Sequence, residues 1–314
     1  MISRMSYYQL KELLANQNYP LAIVDFDAVD KNFELFAKEA KANNKKIRIA
    51  TKSIRVPEIL KYLYNKDREL FSGFMCYRIS EASFLYYNYG FDNLLIAYPE
   101  VSKSELRELS DLIKSGCEAS IIVDSNEHLD LLDEIAKEKE VKINIVLDLD
   151  GSLKVFNNKI NLGVRRSSIK DLKDLKLRLD IIKRKEHLNL KGIMLYEAQV
   201  AGLADNGTFN SFQNPIKKKI KQFSIPKIQE FRKQAVDLIE NYGFKLDIIN
   251  GGGSGSIYSS AKDPVLTEVT VGSGFLCSHL FSNYEGLNLA PAIFFAIETV
   301  RKPDKEYITC MGGC

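Results

Sequence analysis

The stretch LDIINGGGSGSIYSSAKDPVLTEVTVGSGF, residues 246–275, holds two apolar runs, each leading straight into glycines. The run 246–250 enters Gly251-Gly252-Gly253-Ser254-Gly255-Ser256, and the run 266–271 enters Gly272-Ser273-Gly274. A short helical stretch near 254–260 lies between them. Apolar runs of this length fit strands buried on both faces, as in a parallel sheet. Glycine turns at the ends of such strands open the backbone to a ligand, and a helix start there aims free N–H groups at an anion.

The same alternation extends back through the chain. Apolar runs occur at 20–25 (PLAIVD), 47–51 (IRIAT), 71–76 (FSGFMC), 93–97 (NLLIA), 119–123 (ASIIV), 142–148 (KINIVLD) and 190–196 (LKGIMLY). Helix-period stretches separate them at 28–43, 56–65, 80–89, 102–115, 125–138, 168–184 and 226–243. Several carry helix-start residues: Asp27 and Asp30, Ser102 and Ser104, Asp124 and Ser125. Strand–helix alternation implies parallel pairing through right-handed crossovers. With the run at 20–25 set aside, eight strands remain, the number that closes a (β/α)8 TIM barrel. An open doubly wound sheet is the rival fold. The barrel is preferred because the series runs on without a topological switch.

The chain has 314 residues, which suits a barrel of ~250 residues plus an appendage. After residue 280 the pattern changes. PAIFFAIETVRKPDKEYITCMGGC, residues 291–314, reads as two strands joined at Lys302-Pro303-Asp304, the start of an antiparallel β domain. Two strands are marginal alone, and the run at 20–25 is free to pair with them. The expected organisation is an N-terminal segment and strand over 1–26, a barrel over 27–285, and an incomplete β domain over 286–314.

Composition bounds the function. Hydrophobic residues make up 45% of the chain, enough to exclude intrinsic disorder. A net charge of +3, evenly spread, gives no reason to expect nucleic acid or a membrane surface as partner. No apolar run approaches the ~18 residues of a spanning helix. The amphipathic start, MISRMSYYQLKELLANQNYP, lacks the features of a signal peptide, so the cytoplasm is the default expectation. Cys76, Cys117, Cys277, Cys310 and Cys314 are scattered, as reduced thiols are. The Cys310/Cys314 pair lacks further ligands, and of His128, His187 and His279 just His279 has a cysteine, Cys277, at metal-ligand spacing, so a zinc site is not expected.

In a barrel, chemistry gathers at the C-terminal ends of the strands. That rule selects Lys52 after the first barrel strand, Tyr196, Glu197 and Gln199 after the sixth, and the two glycine turns after the seventh and eighth. Arg165 and Arg166 follow the fifth, where a guanidinium suits a carboxylate or phenolate oxygen. Loops after strands seven and eight commonly hold phosphate in barrels. A partly desolvated lysine facing them is a nucleophile suited to Schiff-base formation. Together they describe a site for pyridoxal phosphate. Taken singly, a lysine after a strand is ordinarily a surface residue; for the two glycine sites the alternative is a pair of tight turns. The basic cluster KKKIK, 217–221, is expected in a solvated loop, with an anion-binding lid as the alternative.

The segments PLAIVDFDAVDKN, IRIATKS, LGVRRS, LYEAQVAG, INGGGSGS and VGSGFL resemble, in order and placement, the fold type III pyridoxal-phosphate enzymes. These form the alanine racemase N-terminal-domain superfamily, and the resemblance, over roughly residues 15–312, points to its amino acid aldolase, D-threonine aldolase and D-serine dehydratase branch. It implies that Lys52 forms the Schiff base. It implies phosphate contacts from Gly252, Gly253, Ser254, Gly272 and Ser273, and positions for Tyr196 and Gln199 near the pyridine ring. The strand at 20–25 would belong to the C-terminal β domain, and the assembly would be a homodimer. Two positions depart from the pattern. Asn161 stands where members often have an arginine two residues before the glycine of LGV. Thr270 stands where alanine racemase has the arginine that faces the ring nitrogen, which favours the lyase branch. In that branch a divalent metal is held by β-domain residues with no match in this chain, an expectation of truncation.

Four activities follow as expectations. The first is a lyase cleaving or dehydrating a hydroxy amino acid. The second is an amino acid racemase, and the third a non-catalytic pyridoxal-phosphate-binding protein. The fourth is a barrel holding another phosphate ligand without a covalent link.

Overall fold

The computed structural model describes residues 5–155, 160–206 and 213–312. In chain order the strands are β1 (Leu21–Val24), β2 (Lys46–Ala50), β3 (Phe71–Cys76), β4 (Leu94–Ile96), β5 (Ala119–Val123), β6 (Ile143–Leu149), β7 (Leu153–Val155), β8 (Ile160–Leu162), β9 (Leu188–Leu195), β10 (Ile248–Gly251), β11 (Glu268–Val271), β12 (Ile293–Ala296), β13 (Glu298–Arg301) and β14 (Thr309–Met311). The helices are α1 (Tyr7–Leu14), α2 (Phe26–Ala42), α3 (Pro57–Lys66), α4 (Ile79–Tyr89), α5 (Lys103–Lys114), α6 (Asn126–Glu138), α7 (Leu172–Ile182), α8 (Ala198–Ala201), α9 (Asn214–Asn241), α10 (Ile257–Ser260) and α11 (Ser273–Leu276).

Strands β2, β3, β4, β5, β6, β9, β10 and β11 close a barrel, every neighbouring pair parallel. These are the eight runs read from the sequence. β1 stays outside and pairs antiparallel with β12, Leu21 opposite Ala296. The run AIFFAIETV divides at Ile297. β12 goes to β1, while β13 turns to pair with β14. Cys314, half of the Cys310/Cys314 pattern, lies outside the described residues.

Helix starts follow the polar signals with one shift. Asp25, ahead of Asp27, caps α2 by accepting the Ala28 N–H at 3.1 Å. Ser125 caps α6 by accepting from His128 N–H at 3.2 Å. Two features differ from the sequence reading. A β7–β8 hairpin follows β6. Helix α9 begins at Asn214 rather than near Pro226, so KKKIK is helical and not a loop. Pro215 occupies the first turn, where its missing N–H costs nothing, and α9 runs on through Pro226. Lys221 of that cluster pairs with Asp205 at 2.8 Å and lies 5.2 Å from the centre of the Tyr284 ring. No helix among the described residues is long and apolar enough to cross a membrane.

The barrel interior is divided. Leu95, Ile122, Val146 and Met194 form an apolar cluster on one side. On the other, Arg48 of β2 donates to Glu268 of β11 at 2.6 and 2.9 Å, and both are almost fully buried. Arg48 also donates to the Asn93 carbonyl at 2.8 Å, and Asn250 donates to Glu268 at 2.8 Å. Burial pushes the Glu268 carboxyl up. The charge and hydrogen bonds of Arg48, with those of Ser72 and Asn250, outweigh it and hold the group below its ordinary value of 4.5.

Losing one partner of a buried pair leaves an uncompensated charge, at a cost of about 3–5 kcal/mol. Arg48→Met should therefore lower denaturant stability by that order, and Arg48→Met with Glu268→Leu should recover much of it. A single variant as stable as the wild type would show the pair to be idle. Because the folded value of Glu268 is depressed, its contribution is present above pH 4.5 and lost as pH falls through the folded value.

Candidate active site

The C-terminal ends of the barrel strands surround a cavity of about 320 Å³. Its wall includes Lys52, Tyr98, Arg166, Tyr196, Gly252, Gly253, Ser254, Gly272, Ser273 and Tyr284. Ligand pockets ordinarily begin near ~300 Å³. Among the described residues, Lys52 and Arg166 are the charged side chains that line the wall, both cations, with no carboxylate beside them.

Lys52 sits on a single 3-10 turn, Thr51–Ser53, directly after β2. Thr51 Oγ1 donates to the Met75 carbonyl at 3.0 Å and pins that turn to β3. The Lys52 side chain reaches solvent through the mouth, yet the cavity wall strips part of its water. This desolvation, and then the charge of Arg166, hold the amine below the ordinary lysine value of 10.5.

The two glycine turns stand side by side. Ser254 Oγ accepts the N–H groups of Gly272 at 3.3 Å and Gly274 at 2.9 Å, locking one turn to the other. A Cβ at Gly272 would lie 2.9 Å from both Cβ and O of Ala50, the last residue of β2. Only glycine lets that turn approach the strand that presents Lys52. Gly252 has φ +78°, a left-handed backbone that favours glycine.

Arg166 lies against Asp148, its Nε donating to Oδ2 at 2.7 Å. Its guanidinium carbon is 5.8 Å from the ring centres of both Tyr98 and Tyr196. Asp148 is buried at the end of β6, and desolvation raises its carboxyl to about 6 despite the opposing charge of Arg166. Desolvation likewise raises the Tyr196 phenol, followed by the charge of Glu197.

Of the residues singled out in the sequence, Lys52, Tyr196, Gly252, Gly253, Ser254, Gly272, Ser273 and Arg166 meet at this cavity. Arg165 is exposed instead. Gln199 is turned away, its Nε2 donating to the Gly151 carbonyl at 2.7 Å, and Glu197 points behind the first glycine turn. Asn161 accepts from Ser152 Oγ at 2.8 Å and does not line the wall. Arg166, three residues past Gly163, brings a guanidinium to the cavity. Asp148, Tyr98 and Tyr284 escaped the sequence reading. Asp148 had a usable signal, since LDLD (147–150) ends the fifth barrel strand.

These residues fit pyridoxal phosphate. They offer an amine held below its ordinary value, a flanking phenol ring, two glycine turns for an anion and no opposing carboxylate. They do not fit a divalent metal: among the described residues no group of three or more His, Cys, Asp or Glu side chains is arranged to hold one.

A 3-hydroxy-D-aspartate aldolase of Paracoccus denitrificans (strain Pd 1222) is 22% identical over 254 residues, 81% of this chain. The chain spans 59% of that relative's length. The D-threonine aldolase of Filomicrobium marinum superposes with a TM-score of 0.76 at 19% identity, over 93% of this chain and 72% of that one. D-threo-3-hydroxyaspartate dehydratase of Delftia sp. HT23 gives 0.72 at 15% identity, over 91% and 69%. At such identities the superpositions establish a common fold. The family model for the N-terminal domain of alanine racemase matches residues 24–277, from the end of β1 to just past the last glycine turn. The chain belongs to the alanine racemase N-terminal-domain family.

Proposed function

We propose that this chain binds pyridoxal phosphate through Lys52 and the two glycine turns, and acts as a lyase on a hydroxy amino acid by retro-aldol cleavage or dehydration. The observation that carries the proposal is the pairing, in one cavity, of a lysine held below its ordinary value with two interlocked glycine turns. Relatives named as an aldolase and a dehydratase support the lyase reading over others.

Bound there, the cofactor would supply an electron sink for a bond to the substrate's α-carbon. The remaining work falls to the chain. The turns Gly252–Gly255 and Gly272–Ser273 would hold the phosphate, with Ser254 fixing their spacing; the N–H groups of Gly252, Gly253 and Gly272 themselves already donate to Glu197, Ser256 and Ser254. The Lys52 amine, held below its ordinary value, can accept a proton at Nζ and return it. Arg166 gives the wall a fixed cation for a carboxylate or phenolate oxygen, oriented by Asp148. Tyr98 and Tyr196 flank that cation.

Mixed with pyridoxal phosphate, the protein should develop a visible absorption band that borohydride fixes to the peptide containing Lys52. Lys52→Ala should show neither band nor label, and equal cofactor binding by that variant would sink the assignment. Incubation with a β-hydroxy amino acid should release an aldehyde or a keto acid, whereas a mirror-image amino acid would indicate a racemase.

Arg166→Met removes the second cause of the lowered Lys52 value. The midpoint for labelling the amine with an acylating reagent should then move upward toward 10.5. A midpoint that stays put or falls would show that Arg166 does not act on Lys52.

A further inference from the structure

Glu197 follows β9 at the barrel mouth, yet its carboxylate is buried, at 5% exposure, behind the glycine turn after β10. Oε2 accepts the Gly252 N–H at 3.0 Å and faces Arg232 Nη2 at 3.4 Å. Oε1 accepts the Ser260 hydroxyl at 2.7 Å. Ser260 Oγ lies 2.9 Å from Ser256 Oγ, which accepts the Gly253 N–H at 3.0 Å. One carboxylate thus fixes two successive N–H groups of the turn, the first directly and the second through two hydroxyls. Arg232 of α9 is almost fully buried, donates to the Leu195 carbonyl at 3.2 Å and pairs with Asp263. The fit is close: a Cβ at Gly252 would lie 2.8 Å from Ser260 Cβ.

The charges run against a simple electrostatic role. Glu197 and Asp263 place two carboxylates beneath a turn suited to an anion, faced by Arg232 and, near Asp263, by the buried Lys45. A carboxylate placed there repels the anion through space, so its value to binding must be geometric. With the N–H groups of Gly252 and Gly253 bonded behind the turn, the backbone cannot relax, and the next residues, Ser254 and Gly255, stay at the cavity wall. A turn already in its binding shape loses no ordering entropy when the ligand arrives.

Resting on the cofactor reading above, we propose that Glu197 is a positioning residue. It shapes the turn Gly252–Gly255 for the phosphate group of the ligand without touching that group. Arg232 and Asp263 keep its carboxylate in place.

The test compares pyridoxal phosphate with pyridoxal, which lacks the phosphate, each titrated by visible absorption. The wild type should bind the phosphorylated form far more tightly. Glu197→Ala should weaken pyridoxal phosphate roughly ten-fold or more, by analogy with the loss of hydrogen bonds to a charged acceptor. Pyridoxal itself should change by less than about two-fold on the same scale. Glu197→Gln keeps the shape and one acceptor oxygen and should fall between; it carries the test if Glu197→Ala does not fold. Equal weakening of both ligands would mean general damage to the cavity and overturn the proposal. So would unchanged or tighter pyridoxal phosphate binding in Glu197→Gln, which would show that charge outweighs geometry. A wild type that binds neither aldehyde would overturn the cofactor reading, and this one with it.

Discussion

The seam between β2 and β11 is the constraint on which the rest of the molecule depends. These strands are far apart in sequence, and their pairing, from Lys46 opposite Glu268 to Ile49 opposite Val271, closes the barrel. Arg48 and Glu268 tie the seam from inside the barrel, and Gly272 tightens it at the mouth by approaching Ala50. The seam also sets the chemistry. Lys52 leaves one side of it and the Gly272 turn leaves the other, so the closure that makes a barrel brings an amine opposite an anion-binding turn. A parallel barrel closes only once its most distant contacts form, and the site is assembled by that same event.

The architecture was largely legible in the sequence because its signals are local and repeated. Eight apolar runs separated by amphipathic stretches needed no tertiary information to be counted. The misreadings fall where one local signal was ambiguous. The helical period at 226–243 marked only part of a helix, because α9 was already running from Asn214 and continues through Pro226. The β7–β8 hairpin consists of three-residue strands, too short for any periodicity to register.

The candidate site was legible in its backbone and less so in its side chains. Glycine turns and a strand-end lysine declare themselves by residue type and position. Tyr196, Glu197 and Gln199 lie close together after one strand, and sequence gives them equal claims on the cavity. Only the tyrosine reaches it, because the chain enters the short helix α8 and swings Gln199 onto Gly151 while Glu197 meets Gly252. The direction of a side chain in a turn depends on backbone angles that no spacing rule encodes. Arg165 and Arg166 show the same limit: adjacent and chemically identical, one is exposed to solvent and the other lies beside Lys52.

The acids nearest the cavity stand one layer outside its wall. Asp148 lies behind Arg166, and Glu197 lies behind the first glycine turn. A ligand therefore meets cations and the glycine turns, while the balancing negative charge is buried where it orients them. The cost of that burial is visible in Asp148, whose carboxyl is raised to about 6 even with a guanidinium against it. As pH falls through that value Asp148 takes up a proton, and the charge of Arg166 loses its counterweight. The wall then becomes more strongly cationic. One guanidinium thus faces both the acid that orients it and the amine whose value it lowers, so the balance of charge at the wall is set from behind it.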